Sequence, residues 1–339
     1  MHYDAAHMSI EPRQLLAALS NDQPVSGSAL AASLGVTRAA VWKQVEALRE
    51  LGAPIEAEAG SGYRLAWPVE LLDAKRIGAE LDAAMRARIG AIDVHWQIDS
   101  TNAELLRVAA TATSPRICLA ESQAAGRGRR GRTWQSPLGG NLYFSLLWPF
   151  QAGMGALSGL SLVAGVATLR ALTDCGVPDI GLKWPNDLIA RERKLAGILV
   201  ELGGEFLGPC HAVIGIGINL RLSAATQNLI DQPAIDAASL MDVPPSRNRL
   251  GARLIARLVD ALDRFRMDGF AAFRDDYARN DLLKGRPIRA LAGGETREGI
   301  AAGIDERGAL IMRSGKALIH LDSADVSVRA TEKSARDAS

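Results

Sequence analysis

The run Gly126-Arg127-Gly128-Arg129-Arg130-Gly131-Arg132-Thr133-Trp134 holds four arginines and three glycines. Glycine removes Cβ atoms, so backbone N–H groups can approach an anion closely. Arginine adds planar, permanently charged donors suited to carboxylate and phosphate. The same composition also suits a solvated basic loop or an RNA-binding run. Apolar strand-like segments on both sides favour an anion-binding loop carried by a folded domain.

Other segments add polar groups of the same kind. Lys183-Trp184-Pro185-Asn186-Asp187-Leu188 places a lysine at a strand end before a turn, and ligands of α/β sheets bind at strand ends. An ordinary turn after a strand explains that stretch equally well. Lys194 to Glu201 and Gly215-Ile216-Gly217-Ile218-Asn219-Leu220 follow. Glycines inside an apolar strand mark close approach by a ligand or another backbone, or simply a tolerant buried strand. Asp99-Ser100-Thr101-Asn102 opens a helix, where Ser100 or Thr101 serves as an N-cap or faces a polar ligand. Neither GxxxxGK[ST] nor a dinucleotide GxGxxG occurs in its required setting.

The elements that must hold these groups fall into three units. Residues 12–67 read as three helices and a hairpin. Ser26 and Thr37 are N-caps, Gly35 is a breaker, and Val41, Val45 and Leu48 share one face of a helix over 38–51. Two short helices around a glycine turn, then a hairpin, form a winged helix-turn-helix pattern. Its DNA-contacting candidates are Ser26, Thr37, Arg38, Lys43 and Gln44. From 94 the pattern is α/β: strands near 94–98, 117–121, 141–148, 180–184, 198–202 and 212–218, and helices over 102–110, 157–173 and 253–266. From 285, short strands at 288–291, 296–304, 309–312 and 317–321 alternate with glycine turns, the style of a small SH3-like β-barrel. The boundaries read as 1–68, 69–284 and 285–330, with a polar tail over 331–339.

Composition limits the choices. The 339 residues carry a formal net charge of +1, so any nucleic-acid contact must use a local patch. Residues 1–67 hold five basic and seven acidic side chains, weak for a module that neutralises phosphates alone. Three scattered cysteines and five histidines form no disulfide framework or metal-ligand spacing. The longest apolar stretch, 157–169, has 13 residues, short of the ~20 that span a bilayer. A cytoplasmic chain without membrane attachment is expected.

The motifs, in order, resemble those of biotin protein ligases: Ser100-Thr101-Asn102, Glu121 to Arg132, Trp134, Ser136-Pro137, Asn141-Leu142-Tyr143, Lys183 to Asp187, Lys194 to Leu199 and Gly215 to Asn219. With the winged helix and the C-terminal strands, residues 10–333 resemble the bacterial bifunctional biotin ligase and biotin-operon repressor. The resemblance implies an α/β multidomain chain whose central α+β ligase domain has a mixed, class II synthetase-like sheet.

That resemblance also implies chemistry. Biotin carboxylate attacks the α-phosphorus of ATP, giving biotinyl-5′-adenylate, and a lysine of the biotin carboxyl carrier protein then takes the biotin. By the same carry-over, Lys183, Arg129 and Arg132 are catalytic. Ser100, Thr101, Asn102, Gln123, Arg127, Gly128, Arg129, Lys183 and Gly197 bind biotin. Arg129, Arg132, Trp134, Asn186, Lys194, Gly217, Asn219 and Arg329 bind nucleotide, and Asp187 is placed near Mg²⁺. Homodimerisation on adenylate binding and operator DNA complete the implied partners. Rival readings are a ligand-sensing transcription factor without ligase activity and a lipoate-attaching enzyme. One departure stands out: no aromatic lies between Leu207 and Arg264 to pack on adenine.

Overall fold

The computed structural model describes residues 10–292, 295–322 and 327–330, so the expected tail over 331–339 lies outside the described residues. The first unit is α1 (Pro12–Ala18), α2 (Gly27–Leu34) and α3 (Arg38–Glu50), then β1 (Ile55–Glu58) and β2 (Gly62–Leu65). Ser26 Oγ accepts from Ala29 N at 3.1 Å and Thr37 Oγ1 from Ala40 N at 3.2 Å, so both act as N-caps. Val41, Val45 and Leu48 are buried on one face of α3. Val25 and Tyr63 exchange backbone hydrogen bonds at 2.8 and 2.9 Å, tying the hairpin to the turn before α2. Gly62 permits this, since a Cβ there would lie 2.2 Å from Val25 O.

The second unit runs α4 (Ala74–Ala79), α5 (Ala83–Arg88), β3 (Ile92–Ile98), α6 (Thr101–Val108), β4 (Arg116–Gln123), β5 (Leu142–Phe150) and α7 (Leu160–Asp174). It continues β6 (Ile180–Lys183), β7 (Asp187–Ala190), β8 (Arg193–Gly204), β9 (Cys210–Ile218), α8 (Ala224–Asn228), α9 (Arg247–Asp268) and α10 (Arg274–Asn280). Seven strands form one sheet in the order β3-β4-β5-β9-β8-β7-β6. Only β3–β4 is parallel, so the sheet is mixed as expected. Phe144, Ile198 and Ile216 point to the face that packs with α7 and α9 in the main core. On the opposite face Leu105 of α6 packs with Cys118, Leu147 and Val213. Burial, first among the causes, pushes the Cys118 thiol up to about 12, which leaves it a packing group.

The third unit is β10 (Pro287–Ala292), β11 (Glu295–Ile304), β12 (Leu310–Ser314), β13 (Ala317–Leu321) and β14 (Ser327–Ala330). They pair antiparallel in the order β13-β12-β11-β10-β14. No helix among the described residues is long and apolar enough to cross a membrane.

The first two units are joined by a clamped linker. Glu70 accepts from Ser246 Oγ at 2.9 Å, Arg247 N at 2.6 Å and Asn248 Nδ2 at 2.8 Å. Burial pulls the Glu70 carboxyl up, but these hydrogen bonds and Arg76 outweigh it and hold it below the ordinary glutamate value. A folded-state value below the unfolded one gives stability that is present above the unfolded pKa, about 4.3, and lost as pH falls through the folded value. Glu70→Gln is therefore expected to be less stable than the parent near pH 7, and the gap to close on acidification below about pH 4. Urea melts of both chains across pH 3–7 measure this; a gap that stays constant with pH would contradict it.

The winged helix docks on the segment after the arginine loop. Leu138 is fully buried in the first unit's core, and its N–H donates to Leu51 O at 2.8 Å. Arg13 lies 5.6 Å from the Trp96 ring and Arg221 lies 6.0 Å from the Trp67 ring across the same junction.

Candidate active site

Sheet register builds the floor of the site. Gly197 of β8, Gly217 of β9 and Tyr143 of β5 form one row across the sheet. Leu199, Gly215 and Ser145 form the next row on the same face. The glycines admit side chains from elsewhere. A Cβ on Gly217 would lie 2.3 Å from the Trp134 ring, and one on Gly215 would lie 2.2 Å from Asn102 Oδ1. The close approach expected at these glycines is thus made by an indole and an amide. A Cβ on Gly197 would meet Lys194 Cε at 2.9 Å.

Polar groups at the start of α6 are fixed over this floor. Ser100 caps the helix, its hydroxyl facing Ala103 N at 3.5 Å. Thr101 donates from its N–H and hydroxyl to Gln123 Oε1 at 2.9 and 3.2 Å. Gln123 Nε2 donates to Ser136 Oγ at 3.0 Å. Asn102 Oδ1 accepts from Ser145 Oγ at 2.6 Å, and its Nδ2 donates to Glu201 at 2.7 Å. Ser100, Thr101, Asn102, Gln123, Arg127, Gly128, Arg129 and Gly197 all line a small pocket of about 50 Å³. Tyr143, Phe144 and Gly215 also line it. Lys183, expected among them, is placed instead on a neighbouring larger cavity.

The arginine loop forms a short hairpin-like return. Arg127 bridges Thr133, Gly128 N donates to Arg132 O at 2.7 Å, and Arg130 and Gly131 take positive φ of 58° and 72°. Arg127, Arg130 and Arg132 are exposed, and Arg129 is half-buried, 3.4 Å from Asn186 Oδ1. The larger cavity, about 770 Å³, is lined by Arg129, Arg130, Arg132, Trp134, Lys183, Asn186, Asp187, Lys194 and Asn219. Its far wall is Leu229 to Ala234, so an exposed leucine and an isoleucine stand where no aromatic is available. The loop is pinned by Lys194 N donating to Pro233 O and Ile235 N to Lys194 O, at 2.9 and 3.0 Å. Asn219 Nδ2 faces Lys194 O and Ile235 O, each at 3.3 Å.

Lys194 stands at the junction. It lines both cavities, as do Gly128, Arg129, Trp134 and Asn186. Its Nζ is 2.7 Å from Asp187 Oδ1 and 5.4 Å from the centre of the Trp134 ring. Trp134 Nε1 is buried with no hydrogen-bond partner among the described residues, as suits a group that meets a ligand. The Lys183–Asp187 turn is held by the third unit, where Trp184 Nε1 donates to Gly308 O at 3.0 Å. Gly217 lines the small pocket. Arg329 lies on β14 opposite Arg289. In the winged helix, Arg38 and Lys43 are exposed and Gln44 is half-buried. Between them Trp42 is 59% exposed, an aromatic beside the charged candidates.

Fold and site define a two-part molecule: a winged-helix head, and an α/β domain with paired, cation-lined cavities. Three family models match the chain: the biotin/lipoate A/B protein ligase family over 94–219, an HTH domain over 12–64, and the biotin protein ligase C terminal domain over 284–329. The chain is 38% identical over 322 residues to the bifunctional ligase/repressor BirA of Escherichia coli K12, covering 95% of this chain and 98% of that one. It is 35% identical over 245 residues to the biotin–[acetyl-CoA-carboxylase] ligase of Mycobacterium tuberculosis, covering 69% and 88%. The biotin protein ligase of Aquifex aeolicus, solved with biotin and ATP, matches at a TM-score of 0.61 and 25% identity, covering 72% of this chain and all of that one. This chain belongs to the family of bifunctional biotin protein ligases and repressors.

Proposed function

We propose that the chain joins biotin to ATP where its two cavities meet, then passes biotin to a lysine of a biotin carboxyl carrier protein. The observation that carries this is the shared wall of Lys194, Arg129, Trp134 and Asn186. A carboxylate seated in the small pocket meets the α-phosphate of a nucleotide in the large one at those residues. A biotin carboxylate oxygen attacks phosphorus and pyrophosphate leaves. The acceptor amine then attacks the acyl carbon, loses its proton, and AMP leaves. Both steps gather negative charge that fixed cations stabilise.

Lys194 is the group at the reacting atoms in this reading, with Lys183 on the phosphate side. Asp187, with substrate phosphates, would hold Mg²⁺, which neutralises phosphate charge when bound. No cluster of three or more His, Cys, Asp or Glu side chains among the described residues offers an all-protein cage. Leu229 and Ile230 provide the apolar cover for the purine. The small pocket, about 50 Å³, is far below the ~300 Å³ where ligand pockets begin. Biotin therefore enters by outward movement of the 126–134 segment, which closes again over the adenylate and excludes water.

The repressor activity belongs to α3, with Arg38, Lys43, Gln44 and Trp42 toward DNA. The five-to-seven balance of basic to acidic residues in 1–67 favours a homodimer that grips two half-sites in the cytoplasm, formed when adenylate is bound. The test of the ligase reading is purified chain with biotin, Mg²⁺-ATP and a biotin-acceptor domain, probed for protein-linked biotin. Transfer of biotin, and not of lipoate, is expected; no transfer would overturn it.

A further inference from the structure

Glu201 belongs to none of the groups assigned to ligand or DNA above, yet it joins two of them. It lies on β8, on the face that carries Gly197 and Leu199. Its Oε2 accepts from Asn102 Nδ2 at 2.7 Å and pairs with Arg127 at 3.1 Å. The carboxylate side chain is 24% exposed against 45% for Arg127, so the pair forms at the rim of the small pocket. Asn102 is held from its other end by Ser145 Oγ, and Gly215 leaves it room. A continuous chain, Ser145–Asn102–Glu201–Arg127, thus runs from the pocket floor to the root of the arginine loop.

We propose that Glu201 is a positioning residue that fixes the Asn102 amide and anchors the arginine loop at Arg127, so that the pocket and its cover are set in one geometry. Asn102 and Arg127 are the groups that touch ligand in the site reading above, on which this inference rests. Glu201 acts through them. With Ser145 donating to Oδ1, the Glu201 carboxylate and the Leu199 carbonyl, 3.3 Å away, both face Nδ2 and leave the amide one orientation. The ion pair is charge-assisted and partly shielded, so its loss costs a modest factor and not the fold.

Glu201→Gln is the variant of choice. Its amide oxygen still accepts from Asn102, while the charge facing Arg127 is gone. The expected result is a three- to tenfold weaker calorimetric affinity for biotin, roughly what an ion pair of this kind supplies, with an unchanged melting temperature. Amides of 126–133 should exchange with deuterium faster in Glu201→Gln without ligand. Arg127→Ala should remove the effect, the double variant binding biotin no more weakly than Arg127→Ala. If the parent chain does not bind biotin, the site reading fails, and the exchange measurement still decides the anchoring. If the parent binds biotin and Glu201→Gln matches it in affinity and exchange, the positioning role is wrong. Additive losses in the double variant would also overturn it.

Discussion

Lys194→Ala is expected to lower the rate of biotinyl-adenylate formation by about 10²–10³-fold, the range for removing one preorganised electrostatic group from a transition state. Lys194 lines both cavities, and its Nζ sits 2.7 Å from Asp187 and over the Trp134 ring. A cation held this way needs little reorganisation as charge gathers on the α-phosphate. Lys194→Arg should not restore the rate, because a planar guanidinium does not fit the space that Gly197 leaves for a slim lysine stem. Lys183→Ala is the companion variant. Of the two cavities Lys183 lines the larger, so its loss should weaken ATP binding more than it slows the chemical step. Single-turnover adenylation with saturating ATP separates the two. Equal rates for Lys194→Ala and the parent would remove Lys194 from the reaction.

The largest effect on stability is expected at Arg247. Its side chain is 5% exposed, and it pairs at 2.6 Å with Glu121, which is 0% exposed. Arg247 Nε also donates to Asn141 O at 2.9 Å and an η nitrogen to Glu70 O at 2.8 Å. Glu121 in turn accepts from Leu72 N at 2.5 Å. One buried pair therefore joins the linker, the sheet, the start of β5 and the first turn of α9. Arg247→Met leaves the Glu121 carboxylate buried without its cation, which costs about 3–5 kcal/mol. Adding Glu121→Leu should return much of that loss, since the penalty comes from the stranded charge. Chemical denaturation measures both. A loss below about 1 kcal/mol for Arg247→Met would show that the pair does not hold this junction.

Much of this was legible in the chain itself. The caps Ser26 and Thr37, the Val41-Val45-Leu48 face and most strands follow from short-range rules. The small pocket gathers Ser100, Thr101, Asn102, Gln123, Arg127 and Arg129, while Lys183 lines the larger cavity. Other features depend on partners far along the sequence. Glu201 sits inside β8, and nothing local says what it pairs with until Asn102 and Arg127, 99 and 74 residues away, are brought to it. Arg247 lies six residues before the helix read from the sequence, 253–266, and nothing local marks it until Glu121 is folded beneath it. The seat of Trp134 depends on the register that aligns Gly197 with Gly217, which no local pattern specifies. β7 and the start of β8 escaped because Arg191 and Glu192 make their turn at φ of 47° and 61°, without the Asn-Gly signal such turns usually carry. Helices α5, α8 and α10 have six, five and seven residues, too few for periodicity to register. The proposed roles of the two lysines differ from what the motifs imply for a related reason. Lys183 ends a strand and looks exposed to ligand, but only the β7–β8 pairing brings Lys194 to the point where both cavities open.

Reaction of biotin with ATP at that point has a direct test. Biotin-dependent exchange of labelled pyrophosphate into ATP measures the first half-reaction alone, without carrier protein or DNA. Exchange by the parent chain is expected to require biotin and Mg²⁺ and to fall at least about a hundredfold in Lys194→Ala. Exchange that proceeds equally in Lys194→Ala, or no biotin-dependent exchange by the parent chain, would contradict it.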